Sequence, residues 1–424
     1  MSRVYVRVYG CSANVADSEI VSGILEEAGY SVVEEPGSSD AAIVLTCTVK
    51  TPTQHKVLKH LESISQTGIP LVVAGCMPKA QQSLLERRLP EASLMGPDDL
   101  DKTLEVLEDT IKGRRVVEVD GPPFNRTCKP RSRQNDIIHI ASISTGCLGN
   151  CSYCIVKYAR GHLHSYPAHL IVEDAQKAIK EGCREIWVTA EDTAAYNWEG
   201  YTLPDLLNQL TVLRGDFRIR VGMMTPNQAL NIKEDLVNAY KSDKIFKFLH
   251  VPVQSGSDRV LEKMRRCYRV SDFRELVRDL REVFPEISIS TDIICGFPRE
   301  TEEEFQMSLD LIKEIRPEVL NISRYWPRPG TDAAKMPGKL HGRITKERSR
   351  ALTKLWKNMA IRNGERWIGW KGKILVDEHG KGGDMVGRNY SYKPVAFPGE
   401  AEIGEFVDVT IDDTGIGYLQ GHIT

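Results

Sequence analysis

The chain has 424 residues, 41% of them apolar and 27% charged, with a formal net charge of −2. That length suits two or three packed domains. The near-neutral balance excludes an overall pull toward nucleic acid, so any basic surface must be local. The N-terminal stretch MSRVYVRVYGCSANVADSE lacks the apolar core of a signal peptide, and no apolar run approaches a membrane span. The expectation is a soluble cytoplasmic protein whose ten cysteines stay reduced and are free for metal or catalytic work.

Residues 1–118 alternate strand and helix patterns. Strand candidates fall at 4–9, 41–46 and 70–75, and helical runs at 15–28, 54–65 and 99–112. This alternation predicts an α/β domain with a parallel sheet. Residues 119–136 are Pro-rich, polar and without period, and read as a linker. Across 137–360 the alternation restarts, with strands expected at 138–144, 184–189, 217–222, 246–251, 287–294 and 318–325. Six such βα units can curl into a partial (β/α)6 barrel, whose site lies at the C-terminal strand ends. In 361–424, five short β-like segments punctuated by glycines suggest a small β-barrel.

Two sets of cysteines stand out. TGCLGNCSYC places Cys147, Cys151 and Cys154 just after the first strand of the second domain. A structural zinc wants four closed ligands, and no fourth cysteine or histidine follows at tight spacing. Three thiolates can instead hold a four-iron cluster with one iron left open. Cys11, Cys47 and Cys76 are far apart in sequence, yet each directly follows an expected strand: VYVRVYGC, AIVLTC and LVVAGC. In a parallel sheet those positions share one edge. The alternative is three small buried residues packed as hydrophobes. Cys128, Cys183, Cys267 and Cys295 have no partner at suitable spacing and read as structural.

The Cys-x3-Cys-x2-Cys loop resembles the signature of radical S-adenosylmethionine (SAM) enzymes. YGCSANVADSE, LTCTVK and VAGCMP resemble the methylthiotransferases within that superfamily. ARGHLHSYP, AEDTAAY and TDIICGFP look most like its archaeal and eukaryotic threonylcarbamoyladenosine tRNA branch. The resemblance implies two 4Fe–4S clusters, one on each cysteine triad, together with SAM. It also implies cleavage of SAM to a 5′-deoxyadenosyl radical at Cys147, Cys151 and Cys154. The implied reaction is C2-methylthiolation of N6-threonylcarbamoyladenosine at tRNA position 37. The implied partners are the tRNA anticodon stem-loop, a reductant and a sulfur donor. Other acceptors within the class are an isopentenyl adenosine or a ribosomal-protein aspartate. A non-catalytic RNA-binding iron–sulfur protein is a reading from outside it.

Further stretches that look like this family lie at or after expected strand ends. From these, Tyr153, Glu191, Asp192, Gln254 and Gly296 are the expected cofactor-binding residues. The acids would accept hydrogen bonds from an amine or ribose, and Gly296 would let backbone approach the adenine. Arg160 can pair with a carboxylate or phosphate, or make a surface salt bridge. The last 60 or so residues resemble a TRAM domain, for which Lys371, Lys373, Arg388, Tyr390 and Lys393 interleave cations with aromatics suited to RNA. Residues 374–424 nevertheless hold nine acidic and three Lys/Arg residues, whereas 341–373 hold ten Lys/Arg against two acidic. RNA contact is therefore expected from one face plus the basic helix.

Overall fold

The computed structural model describes residues 2–49 and 51–424, with the side chains of Thr51 and Pro52 outside that description. Lys50, the last residue of LTCTVK, also lies outside the described residues.

The N-terminal domain is a six-stranded, all-parallel sheet. Its spatial order is Ser31–Val33, Arg3–Val8, Ala41–Thr46, Leu71–Gly75, Ser93–Met95, Val117–Glu118. Ala41–Thr46 is buried along its whole length, as a central strand with two covered faces must be. The two flanking apolar clusters are separate, one on each face of the sheet. The strand order reverses between Arg3–Val8 and Ala41–Thr46, and such a reversal opens a crevice at the carboxyl edge. The outer strands 31–33, 93–95 and 117–118 have only two or three residues, too few to leave a readable alternation.

The second domain has its six strands in chain order: Ile138–Ser142, Glu185–Thr189, Arg218–Val221, Phe248–His250, Ser288–Cys295 and Val319–Arg324. All ladders are parallel, and an Ile219–Ile245 bridge joins the two halves. This is the expected partial barrel, and its interior belongs to the largest apolar cluster of the molecule. The C-terminal segment closes a five-stranded barrel from Lys371–His379, Met385–Arg388, Pro394–Phe397, Leu419–Ile423 and Phe406–Thr414. The 24-residue helix Gly342–Glu365 joins the two barrels.

The expected linker is irregular but it is not a free tether. Gly23 faces it so closely that a Cβ there would lie 2.5 Å from the Arg131 nitrogen. The Arg131 side chain is buried and lies 3.7 Å from both Glu19 and Asp174. The segment is a strap whose charged side chains turn inward, toward acids that sequence position does not reveal.

The C-terminal barrel docks on the amino ends of the second domain's strands, away from their carboxyl edge. Lys247 N donates to Tyr390 O at 2.7 Å and Ser391 Oγ to Glu286 O at 2.9 Å. Arg220 stacks between Trp187, Phe248 and Tyr392. This corrects part of the expected RNA surface. Arg388 is bonded to Asp377 at 2.6 Å and to Glu378 at 2.7 Å. Lys393 is buried, and desolvation, against the pull of Glu318, lowers its pKa. Tyr390 packs on Trp367 and Trp370. Arg388 and the Tyr390 ring are thus engaged within the C-terminal module, and Lys393 is buried. Lys371 and Lys373 are exposed, Lys373 facing Asp408 at 3.2 Å.

Glu185 sits fully buried in that interface with its Oε2 unpartnered. Burial first, then the nearby Asp377 charge, pushes its carboxyl up to about 7. A raised carboxyl binds its proton more tightly folded than unfolded, so stability is lost as pH climbs from about 4.5 through 7. Glu185→Gln should therefore match wild type near pH 5 and exceed it by on the order of 3 kcal/mol near pH 8. Urea melts at both pH values check this, and a difference that does not grow with pH refutes it.

Candidate active site between the two sheet edges

Cys11, Cys47 and Cys76 each follow a strand, and the structure brings them to one edge. Gly10 lies so near Cys47 that a Cβ would be 3.0 Å from the Cys47 Cβ, and its φ of +135° suits only glycine. The Asn14 amide ties the edge together, donating to Tyr9 O at 2.8 Å and Thr46 O at 3.0 Å. Cys76 Sγ lies 3.6 Å from Asn14 Oδ1. Burial pushes the Cys76 thiol up to about 12, against the lowering effect of Arg160.

The second triad lies on the loop after Ile138–Ser142. A Cβ on Gly149 would be 3.2 Å from Cys147 Sγ and 3.7 Å from Cys151 Sγ, so this glycine keeps the space between two sulfurs clear. Gly149 N donates to Cys147 Sγ at 3.2 Å, and Arg266 Nη1 to Cys151 Sγ at 3.2 Å. Burial pushes the Cys154 thiol up to about 11. Donors aimed at sulfur favour the ionised, metal-ligating form.

Among the described residues, no three His, Cys, Asp or Glu side chains converge on a point suited to one metal ion. A zinc draws its sulfurs to about 2.3 Å from one centre. A four-iron cluster spreads three ligands over three irons. Three thiols at each sheet edge, with no fourth His or Cys ligand beside them among the described residues, are a donor set that fits such a cluster. Cys183 and Cys295 are buried with their sulfurs on backbone carbonyls, in keeping with a packing role.

One arginine joins the two triads. Arg160 leaves the barrel loop and enters the N-terminal domain, where it is 3% exposed. Its Nη2 lies 2.7 Å from Asn14 Oδ1 and 2.8 Å from Asp17 Oδ2, and its Nε lies 3.8 Å from Glu191. The carboxylate reading of Arg160 is the one the structure adopts. Behind it, Arg126 from the strap pairs with Asp17 at 2.6 Å and donates to Tyr166 Oη at 2.7 Å. Burial alone would raise the Asp17 carboxyl, yet the two guanidinium groups hold it below the usual range.

A cavity of about 460 Å³ lies beside the second triad and is walled by both domains, with Val49 on one side and Tyr153, Cys154, Gln254, Arg324 and Arg328 on the other. Gln254 fits a ligand wall well. Its φ is +69°, a strained value for a side-chain-bearing residue, and its buried Oε1 has no partner. Tyr153 meets Phe297 edge-on at 6.5 Å.

Two expected cofactor residues are otherwise engaged. Asp192 accepts from Thr225 N at 3.1 Å and Thr225 Oγ1 at 2.6 Å, so its carboxylate secures the next loop. A Cβ on Gly296 would lie 2.2 Å from Thr345 Cγ2, so the close approach it permits is to the long helix. Arg266 and Arg328 were not singled out from sequence. Both lie within motifs that look functional, MRR and WPRPG, but nothing local says which cation turns inward.

Three family patterns cover most of the chain: the Radical SAM superfamily at residues 141–312, Uncharacterized protein family UPF0004 at 3–96 and the TRAM domain at 368–424. A probable threonylcarbamoyladenosine tRNA methylthiotransferase of Pyrococcus horikoshii is 39% identical over 100% of both chains. The threonylcarbamoyladenosine tRNA methylthiotransferase of Homo sapiens is 36% identical over 99% of this chain and 74% of its own length. The chain belongs to the threonylcarbamoyladenosine tRNA methylthiotransferases. Among solved structures, the radical SAM methyltransferase TsrM from Kitasatospora setae, with cobalamin and a [4Fe–4S] cluster bound, superimposes with a TM-score of 0.58. That match covers 89% of this chain and 82% of the other at 16% identity, a likeness of fold. Membership in this radical SAM methylthiotransferase family brings SAM and two four-iron clusters as cofactors.

The Arg126 network yields a test. Arg126→Met leaves Asp17 without one of its two cations and Asp98 without the 3.4 Å contact it has now. The expected loss is about 3–5 kcal/mol of stability in denaturant melts. A loss below about 1 kcal/mol would show that the network is not closed in solution.

Proposed function

We propose that this protein inserts a methylthio group at C2 of the N6-threonylcarbamoyladenosine 3′ of the anticodon in tRNA. The observation that carries the reading is the joining of the two cysteine triads through Arg160, with a cavity beside the barrel triad walled by both domains. Cys147, Cys151 and Cys154 would hold one cluster, and Cys11, Cys47 and Cys76 the other. With SAM bound, the first supplies one-electron chemistry able to take hydrogen from an unactivated ring carbon. The chain's own residues do the rest. Gly149 N and Arg266 donate to the ligating sulfurs. Gln254 and Tyr153 wall the ligand space. Asn14, Asp17 and Arg160 fix the two sheet edges against each other. The buried setting excludes water from a reactive centre. The sulfur and the reducing electron come from donors outside the chain.

The base must leave its stack to reach the cavity. Its tRNA would be held by the long helix. Arg343, Lys346, Arg350, Lys354 and Lys357 are all exposed and recur at three- and four-residue intervals, so they form one stripe. Thr345 abuts Gly296 at the barrel mouth, while Arg366 reaches Glu318 at its base. The stripe thus starts at the rim of the cavity and runs down the barrel wall, where phosphates can follow it. No described helix is long and apolar enough to cross a membrane, and we place the protein in the cytoplasm, where its tRNA substrate would be met.

Mass spectrometry of tRNA nucleosides tests the reading. Deleting the gene should remove the methylthio-threonylcarbamoyl nucleoside, and its persistence with no second enzyme present overturns the substrate. Alanine at Cys11, Cys47 and Cys76 should halve bound iron while the remaining iron still supports SAM cleavage. Glutamine at Arg350, Lys354 and Lys357 should weaken tRNA binding and reduce its salt slope by about 2–3. An unchanged slope would remove the helix from the interface.

A further inference from the structure

The cavity wall carries an unbalanced charge. Arg328 is 4% exposed. Its Nε donates to Val49 O at 2.9 Å and its Nη1 to Gln54 Oε1 at 2.7 Å, both neutral acceptors. Among the described residues its Nη2 has no hydrogen-bond partner. Arg324, on the same wall, stacks over Trp326 at 5.1 Å. Among the described residues neither guanidinium has a carboxylate within ion-pair reach. The acid that shares this wall, Asp292, is already engaged by His250 at 2.9 Å and Asn321 at 2.8 Å. Among the described residues beside Arg328, only the Cys47 thiol offsets the burial of the charge, an incomplete compensation for a buried cation, whereas buried arginines such as Arg126, Arg160 and Arg348 have carboxylate partners. The exception lies where a ligand must sit.

We infer that Arg324 and Arg328 form an anion-reading wall that takes the free carboxylate of the threonylcarbamoyl group. The inference rests on the proposed substrate and deepens it. An adenosine bearing a threonine through a carbamoyl link carries one carboxylate, whereas an unmodified or isopentenyl adenosine carries none. A guanidinium fork matches a carboxylate through two parallel hydrogen bonds. The same pair rejects a neutral base, because a buried cation would then stay unpaired. The wall would therefore set the order of modification. A reaction that attaches an amino acid to the base must precede this one.

Binding of anticodon stem-loop RNAs to the reconstituted full-length protein tests this by fluorescence anisotropy. Three synthetic RNAs are compared, carrying threonylcarbamoyladenosine, its carboxyl methyl ester, or plain adenosine. Wild type should bind the free acid roughly ten- to a hundredfold more tightly than the ester. Arg324→Gln and Arg328→Gln should each shrink that ratio, and Arg324→Lys should retain part of it. Arg324 is half-buried, so its variants keep the test open should Arg328→Gln fail to fold. If wild type converts the free acid but binds the ester equally well, the wall is wrong and the proposed reaction stands. If both variants keep the ratio but lose SAM affinity, the arginines serve the cofactor and the inference fails. If wild type neither prefers the modified RNAs nor converts them, the substrate itself is wrong.

Discussion

The architecture turns on one buried guanidinium. Arg160 leaves the barrel, crosses into the N-terminal domain and meets Asp17 and Asn14 there, with Glu191 behind it. Removing so many charges from water brings no net gain in stability by itself. What it brings is register, since each partner has one place to sit. Asn14 also accepts near Cys76 and donates to the carbonyls of Tyr9 and Thr46, close to Cys11 and Cys47. A rotation of one domain against the other would therefore unpair charges before it displaced a cysteine.

The C-terminal barrel follows a different logic. It occupies the amino ends of the barrel strands and leaves the carboxyl ends free. Arg388 and Tyr390 are engaged inside the module beside that contact and Lys393 is buried, which accounts for cations in an otherwise acidic module. Its placement at the base leaves the long helix as the route from base to mouth. The helix presents cations outward along one stripe and keeps Thr345, Leu352, Met359 and Ala360 inward against the barrel. Its two faces thus separate packing from phosphate binding, as an amphipathic helix does.

How much of this was legible beforehand depended on the range of the interaction. Strand runs such as AAIVL and thiols directly after them are local patterns, and they placed both cysteine triads at strand ends correctly. The basic helix is a local pattern too. The strap was misread because DGPPFNRTCKPRSRQND has the composition of a tether, while Arg126 and Arg131 answer acids more than a hundred residues away in Asp17 and Glu19. Lys393 and Arg388 were misread for the mirror-image reason. Alternation of cations and aromatics describes a face, and only tertiary contact decides whether solvent or a neighbouring domain covers it. Gly296 shows the same limit, since a glycine announces a close approach without naming what approaches.

Parallel sheets place their useful atoms at carboxyl edges, where loops diverge and helix amino ends point inward. Two such sheets can share one site only if those edges face each other. Most residues of the site then come from just beyond a strand. Cys11, Asn14 and Asp17 follow Arg3–Val8, Cys47 and Val49 follow Ala41–Thr46, and Cys76 follows Leu71–Gly75. Cys147 through Arg160 follow Ile138–Ser142, Glu191 follows Glu185–Thr189, and Arg328 follows Val319–Arg324. The convergence of two cysteine triads is thus a consequence of topology. A single sheet edge can hold three thiols in a row, but a second triad around the same space needs a second edge. The buried Arg160 is what keeps the two together.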